Sequence, residues 1–358
     1  MSETPYYVAF SHLSGIGPLK FAKLRELFGT VEQAYNAERG VIKELLGDNL
    51  TDKFFAFKTQ FDPQRKTQEI VKKGIQIITQ EMAAYPNSLK NIPDPPICLY
   101  VKGSIKVFQN YLFSVVGTRK PTPYGSEIAK KFSHELAIAG FTIVSGMALG
   151  IDTIAHQAAL NVEGKTIAIL GCGVDIIYPA SNRPLYLQII KQGGCIVSEF
   201  PPGHLVKPGL FIARNRIISG LSRGVLVIEG AADSGALITA RYAAVQGKEV
   251  FAPPGPLGST MSAAPNILLK QGAKFVTETS DILEEFNLKL VPREEKRIEE
   301  ELNEPERKIF SVLKMGPHFV EDLRTVIDMP VPRILEIISM LEIKGIILKN
   351  NDGKYETR

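Results

Sequence analysis

The sequence predicts an α/β protein with a mostly parallel central sheet, a small helical domain before it and a winged-helix domain after it. Three observations predict this class. Short apolar runs alternate with helical patterns from about residue 81 to residue 288, and buried strands that alternate with helices form parallel sheets covered on both faces. Residues 1–80 show only short helical patterns. A charged stretch at 289–304 leads into a last segment, 305–358, with three helical patterns and a hairpin.

Composition agrees with an ordinary globular protein. The 358 residues are 44% hydrophobic and 22% charged, and a chain of this length can form two or three domains. The net charge of +4 permits a polyanionic partner without requiring one. Three cysteines without C-x-x-C spacing disfavour a disulfide framework and a zinc site. The sequence shows no cleavable signal and no apolar run of membrane length, so we expect a cytoplasmic protein without a membrane partner.

The first segment, residues 1–80, is predicted to form short helices. The helical patterns cover Tyr6–His12, Leu19–Phe28, Val31–Tyr35 and a later stretch through Ile70. The first two are joined by Leu13-Ser-Gly-Ile-Gly-Pro18, whose glycines and proline allow a tight turn with exposed amide groups. This turn resembles a helix-hairpin-helix element, which binds nucleic-acid backbone in many proteins. A purely structural hairpin explains the same residues.

Six apolar runs predict the strands of the central segment. They are Phe113–Val116, Phe141–Val144, Thr166–Leu170, Cys195–Val197, Val225–Ile228 and Glu249–Ala252. Glycine, serine or proline follows each run, and then usually a helix, such as Pro123–Ala139. Ligands of such sheets bind beyond the carboxyl ends of the strands. The ends of the runs are therefore where candidate site residues are sought.

The last two segments read as a solvated linker and a winged helix. Charged residues fill 289–304 and interrupt the hydrophobic pattern. The helices and the hairpin turn then follow at Pro305–Lys314, Phe319–Ile327, Val331–Lys344 and Asn351-Asp-Gly353. The third helix carries Glu336 and Glu342 beside Arg333, whereas a helix that enters the major groove of DNA should be more basic. We therefore favour protein contact over duplex binding for this domain.

The strongest candidate site is Phe211-Ile-Ala-Arg-Asn-Arg216, after which an apolar helix is predicted to begin. Planar arginine side chains suit phosphate, and an aromatic ring offers a face for a base. This segment favours a ligand that is both anionic and flat, such as a nucleotide or single-stranded nucleic acid. An ordinary amphipathic helix with exposed arginines is the alternative interpretation.

Other strand ends add glycines, hydroxyl groups and cations. The nucleic-acid-binding residues predicted from these positions and from the candidate segment are Gly117, Thr118, Arg119, Ser145, Gly146, Lys207, Phe211, Arg214, Asn215, Arg216, Ser234 and Gly235. Small residues let a backbone approach a ligand closely, and amides at the start of a helix attract anions. The expected site is electropositive.

No catalytic or cofactor site is predicted. The glycines after the third run fail the dinucleotide fingerprint, because its third glycine would fall at Ile176. The histidines lack metal-ligand spacing, and His156 fits a packed core position. Asp152, Asp175 and Glu229 could act as acid–base groups, but such residues more often cap helices or orient arginines.

The chain resembles the DNA-processing protein A (DprA, also called Smf) family. The resemblance rests on long motifs that occur in the family's order between about residues 85 and 280. They are VGTRKPTPYG at 116–125, SGMALGID at 145–152, GCGVDIIYP at 171–179, RNRIISGLS at 214–222 and SGALITAR at 234–241.

This resemblance implies an extended Rossmann-like domain that binds single-stranded DNA. Because the residues show no catalytic or cofactor site, we expect binding without enzymatic turnover and without a cofactor. It also implies a homodimer that loads a RecA-type recombinase onto incoming DNA in natural transformation (competence). In the family's pocket Arg119, Arg214 and Arg216 would pair with phosphates, Asn215 would form hydrogen bonds, and Phe211 would lie beside a base.

Two alternative functions remain. One is a nucleotide-processing enzyme, a phosphoribohydrolase of the related Rossmann-like class, in which Glu229 would be the carboxylate aimed at the sugar. The other is a transcriptional regulator that uses the winged helix, which the acidic third helix disfavours.

Overall fold

A computed structural model describes residues 3–288, 302–327, 329–350 and 352–357. Its contacts divide the chain into two units, Met1–Leu290 and Val291–Arg358. Most of the predicted linker, residues 289–301, lies outside the described residues.

The first unit begins with six helices. They are α1 (Thr4–His12), α2 (Pro18–Phe28), α3 (Val31–Asn36), α4 (Arg39–Leu46), α5 (Asp48–Gln60) and α6 (Pro63–Lys72). Proline opens α2 and α6, because it is tolerated in the first helical turn. The ring of Phe10 packs against Phe21, Tyr35 and Phe54 with centroid distances of 5.5, 5.9 and 5.7 Å. These rings form the centre of the helical part.

The first helices share one hydrophobic cluster with the central sheet. Tyr7 and Phe10 belong to the same buried cluster as Tyr100 and Ile196 of the sheet. The hydroxyl groups of Ser11 and Tyr100 are 2.6 Å apart. The contacts therefore place the helices and the sheet in one unit, and the separate domain at residues 1–80 stays a prediction.

The central sheet has nine strands. They are β1 (Gln76–Thr79), β2 (Cys98–Gly103), β3 (Tyr111–Val116), β4 (Phe141–Ser145), β5 (Thr166–Ile169), β6 (Cys195–Ser198), β7 (Gly224–Val227), β8 (Glu249–Ala252) and β9 (Lys274–Phe275). Their order is β1-β2-β6-β5-β4-β3-β7-β8-β9. Strands β3 to β9 pair in parallel, while β2 is antiparallel to β1 and β6. The α/β class and the six predicted strands, β3 to β8, are confirmed.

Helices cover both faces of the sheet. The remaining helices of this unit are α7 (Asn87–Lys90), α8 (Pro123–Ile138), α9 (Ile151–Asn161), α10 (Arg183–Lys191), α11 (Pro208–Leu221), α12 (Gly235–Val245), α13 (Ala263–Lys270) and α14 (Thr279–Glu285). Apolar residues of α8, α9 and α14 pack on one face, and those of α11, α12 and α13 on the other.

The winding of the sheet reverses between β3 and β7. From β3 the chain adds β4, β5 and β6 on one side, and α11 then leads back to β7 on the other side of β3. Ligands of open α/β sheets bind at the carboxyl ends of the strands where the winding reverses. Among the strand ends that were predicted to carry site residues, the strand order therefore favours the carboxyl ends of β3 and β7 as the ligand site.

The second unit contains α15 (Glu304–Leu313), α16 (Val320–Val326), α17 (Val331–Ile343) and a two-stranded antiparallel sheet of β10 (Ile347–Lys349) and β11 (Tyr355–Thr357). The three predicted helices and the hairpin strands are present, although the turn residue Asn351 lies outside the described residues. The winged-helix interpretation of this unit stays a prediction. Within the described part of the chain, no helix combines the length and apolar character that a membrane crossing requires.

Candidate nucleic-acid interface

A cavity of about 520 Å³ lies beyond the carboxyl ends of β3 and β7, where the winding reverses. We call it the carboxyl-edge cavity. It brings together predicted residues from three separate parts of the sequence. These are Gly117, Thr118, Arg119, Phe211, Arg214, Asn215, Ser234 and Gly235. The structure therefore brings these distant residues to one edge of the sheet, and their role in binding nucleic acid stays a prediction.

The turn after β3 supplies exposed positive charge to the cavity. The amide of Thr118 donates to the carbonyl of Glu229 at 2.8 Å, which ties this turn to the end of β7. Position 117 requires glycine, because a Cβ there would clash with Cγ1 of Ile151 at 2.7 Å. The side chains of Arg119 and of its neighbour Lys120 are exposed and also line the cavity. Lys120 was not among the predicted residues, although its position next to Arg119 pointed to it.

The candidate segment lies on a helix rather than before one. Helix α11 begins at Pro208, ahead of Phe211, with proline in its first turn. The sequence placed the helix start after Arg216. Residues of the segment therefore follow helical periodicity and point in different directions.

Arg214 forms the floor of the cavity. Its side chain is buried, and its Nη1 donates to the carbonyl of Gly146 at 2.7 Å and to that of Ile169. Its Nε donates to Oδ1 of Asn215 at 3.0 Å. Burial lowers the pKa of Arg214 to about 10, with a smaller contribution from the charge of Arg119. Arg214 therefore keeps its charge at neutral pH, and within the described residues its Nη2 forms no hydrogen bond.

Asp152 lies beside Arg214 and opposes the loss of its proton. Oδ2 of Asp152 accepts from the amides of Gly146 and Ala148 at 3.1 and 3.4 Å. Burial raises the pKa of this carboxyl group, while Arg214 acts in the opposite direction. Asp152 therefore orients an arginine and a loop. This is the kind of role that its sequence position favoured over acid–base chemistry.

Ser145 and Gly146 support the cavity without lining it. The buried hydroxyl of Ser145 donates to the carbonyl of Val115 at 2.7 Å. The amide and carbonyl of Gly146 bond to Asp152 and Arg214. A Cβ on Gly146 would lie 2.2 Å from Nη2 of Arg214. Glycine at this position therefore makes room for the arginine rather than for a ligand.

Arg216 does not reach the cavity, in contrast to its predicted phosphate contact. Its Nη1 and Nη2 donate to the two carboxylate oxygens of Glu199 at 2.9 and 2.7 Å, and its Nε donates to Asp94 at 2.8 Å. Its side chain is only 5% exposed. Residues two apart on a helix point to nearly opposite sides, so Arg214 and Arg216 cannot face the same ligand.

Lys207 and Phe211 occupy the start of α11. Lys207 is exposed and occupies the residue before the helix without a side-chain capping bond, and it does not line the cavity. The guanidinium carbon of Arg119 lies 5.6 Å from the ring centroid of Phe211. The ring of Tyr178 lies 5.4 Å from the same ring at an angle of 37°. Tyr178 is 43% exposed, so it adds an aromatic surface that the site prediction missed.

The wall formed after β7 includes the start of α12. The hydroxyl of Ser234 accepts from the amide of Ala236 at 3.3 Å and caps this helix. Asp233 lines the same wall. Met261 also lines it, and the carbonyl of Met261 accepts from the amide of Gly230 at 2.7 Å. Met261 comes from the loop after β8, and nothing in its local sequence indicated a place in the site.

Glu229, the carboxylate of the enzyme hypothesis, does not line the cavity. It is buried, and its Oε1 and Oε2 accept from the hydroxyl and the amide of Thr122 at 2.7 and 2.9 Å. Thr122 in turn caps α8. Glu229 therefore anchors the start of a helix. Across the residues the structure describes, no group of three or more His, Cys, Asp or Glu is arranged to hold a metal ion.

His156 occupies a core position, as its helical pattern predicted. It is buried, and its Nδ1 lies 2.6 Å from the hydroxyl of Thr166. That hydroxyl donates to the carbonyl of Ile143 at 2.7 Å. The ring therefore donates its Nδ1 proton to Thr166, and Nε2 is a buried atom without a hydrogen bond. Burial lowers the pKa of His156 to about 3.

Comparison with known proteins adds independent information. The family described as DNA recombination-mediator protein A matches residues 76–287. Protein Smf of Synechocystis is 39% identical over 288 residues, which cover 79% of this chain and 72% of that protein. Protein Smf of Escherichia coli is 46% identical over 221 residues, 60% of this chain and 58% of that protein.

Two solved structures share the fold. The DNA processing protein A of Streptococcus pneumoniae superposes with a TM-score of 0.71 at 35% identity, over 80% of this chain and 99% of that one. The corresponding protein of Helicobacter pylori superposes with a TM-score of 0.53 at 34% identity, over 59% of this chain and 96% of that one. The Helicobacter structure is described as revealing a single-stranded DNA binding mode.

Proposed function

This chain belongs to the DNA recombination-mediator protein A family, and we propose that it binds single-stranded DNA in the carboxyl-edge cavity. We further propose that it acts as a homodimer in the cytoplasm. There it protects incoming single strands and loads a RecA-type recombinase onto them in natural transformation or another form of recombination.

One observation carries the DNA-binding proposal. Arg119, Lys120 and Arg214 converge on one cavity at the reversal point of the sheet. Arg119 and Lys120 are exposed and can meet successive phosphates, while Arg214 is buried, where low dielectric strengthens its attraction for an anion. The Helicobacter relative, with the same fold, is described as binding single-stranded DNA.

The aromatic rings favour a single strand over a duplex. The ring of Phe211 lies beside Arg119, and the ring of Tyr178 packs against that of Phe211. A base can stack on such rings only when it is free of its partner strand, and stacking tolerates every base. The proposal is therefore for binding that depends little on sequence.

Binding without turnover fits the positions of the acidic groups. Glu229 is bonded through both oxygens to Thr122, and Asp152 to backbone amides beside Arg214. Both oxygens of Glu229 are occupied, and this carboxylate, which a phosphoribohydrolase would aim at the sugar, lies outside the cavity. We therefore propose a DNA-handling protein rather than a phosphoribohydrolase.

The deciding experiment is a fluorescence anisotropy titration of the full chain with a labelled single strand of thymidines and with a labelled duplex, at two salt concentrations. We expect tighter binding of the single strand, with affinity that falls steeply as salt increases, because phosphate contacts release counterions. Replacing both Arg119 and Lys120 with alanine should weaken binding by about tenfold or more, since charge-assisted hydrogen bonds are lost.

Lys131→Ala is the matched control. It removes an exposed cation from α8, which packs on the face of the sheet opposite α11, and Lys131 does not line the cavity. It should bind like the unchanged protein. Equal affinity of the Arg119→Ala/Lys120→Ala variant and this control would refute DNA binding in the cavity.

The recombinase part of the proposal has its own measurement. The ATPase activity of a RecA-type recombinase on a single strand already coated with single-strand-binding protein should begin sooner when this protein is added. The Arg119→Ala/Lys120→Ala variant should shorten that delay much less. An unchanged delay with the unaltered protein would count against loading, whatever the DNA titration shows.

A further inference from the structure

A second cavity, of about 460 Å³, lies at the opposite edge of the sheet, where β3 and β7 begin. We call it the amino-edge cavity. Its walls are residues 83–88, the short 3-10 helix Ile105–Gln109, and the end of α11 with Arg223 behind it. None of its lining residues lines the carboxyl-edge cavity. The length of β3 separates the two by about 17–20 Å.

The charge of the amino-edge cavity is entirely positive. Lys106 and Arg223 are the charged residues that line it, and no carboxylate is among its described lining residues. Both side chains are exposed, and neither forms a hydrogen bond or ion pair within the part of the chain that the structure describes. Lys248 lies close enough for the charge of Arg223 to lower its pKa, in addition to the larger effect of burial. The site therefore gathers cations whose natural counterpart is an anionic ligand.

Flat surfaces and free amide groups accompany these cations. The guanidinium carbon of Arg223 lies 4.2 Å from the ring centroid of Tyr111, which fixes the plane of the arginine. Phe108 is half-buried in the wall. The side chains of Asn87 and Gln109 line the cavity and form no hydrogen bonds within the described residues. Amide side chains present both donors and acceptors, as the edge of a base does.

We propose that the amino-edge cavity binds a nucleotide. Lys106 and Arg223 pair with its phosphate, and its base lies against Phe108 with Asn87 or Gln109 at its edge. A volume of about 460 Å³ falls in the range of small-molecule sites. The nucleotide is either a free one or one unit of a bound single strand. Binding of one unit of a single strand rests on the proposed function, because the strand would then contact both edges of the sheet. Binding of a free nucleotide does not depend on that function.

The test uses the full chain and two probes. Isothermal titration calorimetry with deoxyadenosine monophosphate measures a free nucleotide, and anisotropy with a labelled strand of thymidines measures DNA. The variants are Lys106→Ala/Arg223→Ala, Arg223→Lys, and Lys131→Ala as the matched control. Thermal unfolding shows that each variant is folded. If the double variant does not fold, Lys106→Ala alone is used in its place, because the side chain of Lys106 is exposed and forms no hydrogen bond within the described residues.

A free-nucleotide site predicts that the monophosphate binds the unchanged protein and the Arg119→Ala/Lys120→Ala variant equally. Its affinity should then fall about tenfold in Lys106→Ala/Arg223→Ala. A strand site predicts instead that only the affinity for the labelled strand falls in that double variant, by a similar factor. Arg223→Lys should lose less affinity than the double variant for whichever probe binds, since lysine keeps the charge but not the planar group.

The proposal is overturned if Lys106→Ala/Arg223→Ala is folded and binds both probes as the control does. Failure of the DNA-binding function gives a different result. In that case the labelled strand is insensitive to Arg119→Ala/Lys120→Ala, whatever the monophosphate does.

Discussion

The carboxylate of Glu199 accepts two parallel hydrogen bonds from the guanidinium of Arg216, at 2.9 and 2.7 Å. Both side chains are nearly buried, and Asp94 completes the arrangement through Nε of Arg216. This cluster ties the middle of α11 to the end of β6 and to the loop before β2. It holds the helix that carries Arg214 and Phe211 beside the carboxyl-edge cavity.

Removing Arg216 should destabilise the protein far more than it changes a DNA contact. Arg216→Ala leaves Glu199 buried without its partner, which costs about 3–5 kcal/mol of unfolding free energy. Urea unfolding at neutral pH measures this loss. The control is Arg65→Ala, which removes an exposed pair with Glu69 and should cost less than about 1 kcal/mol. Similar losses for the two variants would contradict the structural role of Arg216.

A methyl group at Gly146 should displace Arg214. The added Cβ would lie 2.2 to 2.4 Å from the atoms of the guanidinium, so Gly146→Ala should cost about 1–3 kcal/mol of stability and weaken single-strand binding. Gly40→Ala is the matched control, because a Cβ there meets nothing within 4 Å. Unfolding and anisotropy titrations of both variants check this, and equal behaviour would show that Arg214 does not depend on the glycine.

Stability should decrease when the pH falls below about 6.5, in part because of His156. Its folded pKa of about 3 is depressed from 6.5, so the unfolded chain binds the proton more tightly. Its contribution is fully present above the unfolded pKa and is lost as the pH falls towards the folded one. From pH 7.5 to pH 5 this loss amounts to about 2 kcal/mol.

His156→Gln removes the titrating group while an amide can still donate to Thr166. The fall in unfolding free energy over the same pH range should therefore be smaller by about 2 kcal/mol in this variant. Chemical unfolding at a series of pH values measures both slopes. Parallel curves would mean that the imidazole does not titrate on unfolding in this range.

Phe211→Ala should weaken single-strand binding by about 1–3 kcal/mol, the usual value of one base–aromatic contact. The loss should be of similar size for strands of different sequence, because every base has a flat face. Leu187→Ala is the control, since it removes an exposed apolar side chain from α10. A titration in which both variants keep the original affinity would exclude stacking on this ring.

The buried strands were the part of the fold that local sequence could predict. Runs such as Phe113–Val116 and Thr166–Leu170 are mostly apolar and buried along their whole length, because both faces of a central parallel strand are covered. Strands β1, β2 and β9 escaped prediction. β9 has only two residues, both exposed, and β1 precedes the boundary at which the helical segment was expected to end.

The site could be predicted as a set of strand ends but not as a cavity. Which ends lie side by side depends on strand order, and β3 and β7 are more than one hundred residues apart. Arg214 and Arg216 show a second limit. Because α11 begins at Pro208, helical geometry makes the two side chains point in opposite directions. The sequence prediction began the helix after Arg216, so it could not show this. The amino-edge cavity joins residues 83–88, Lys106 and Arg223, which share no local motif.

Arg214 donates to the carbonyls of Gly146 and Ile169, and these two bonds fix the position of its guanidinium group. Because the protein itself positions this cation, we expect that a bound strand would not have to organise it. Such preorganisation lowers the entropic cost of association. For the proposed strand site, we therefore expect the backbone around α11 to superpose closely with and without a bound strand.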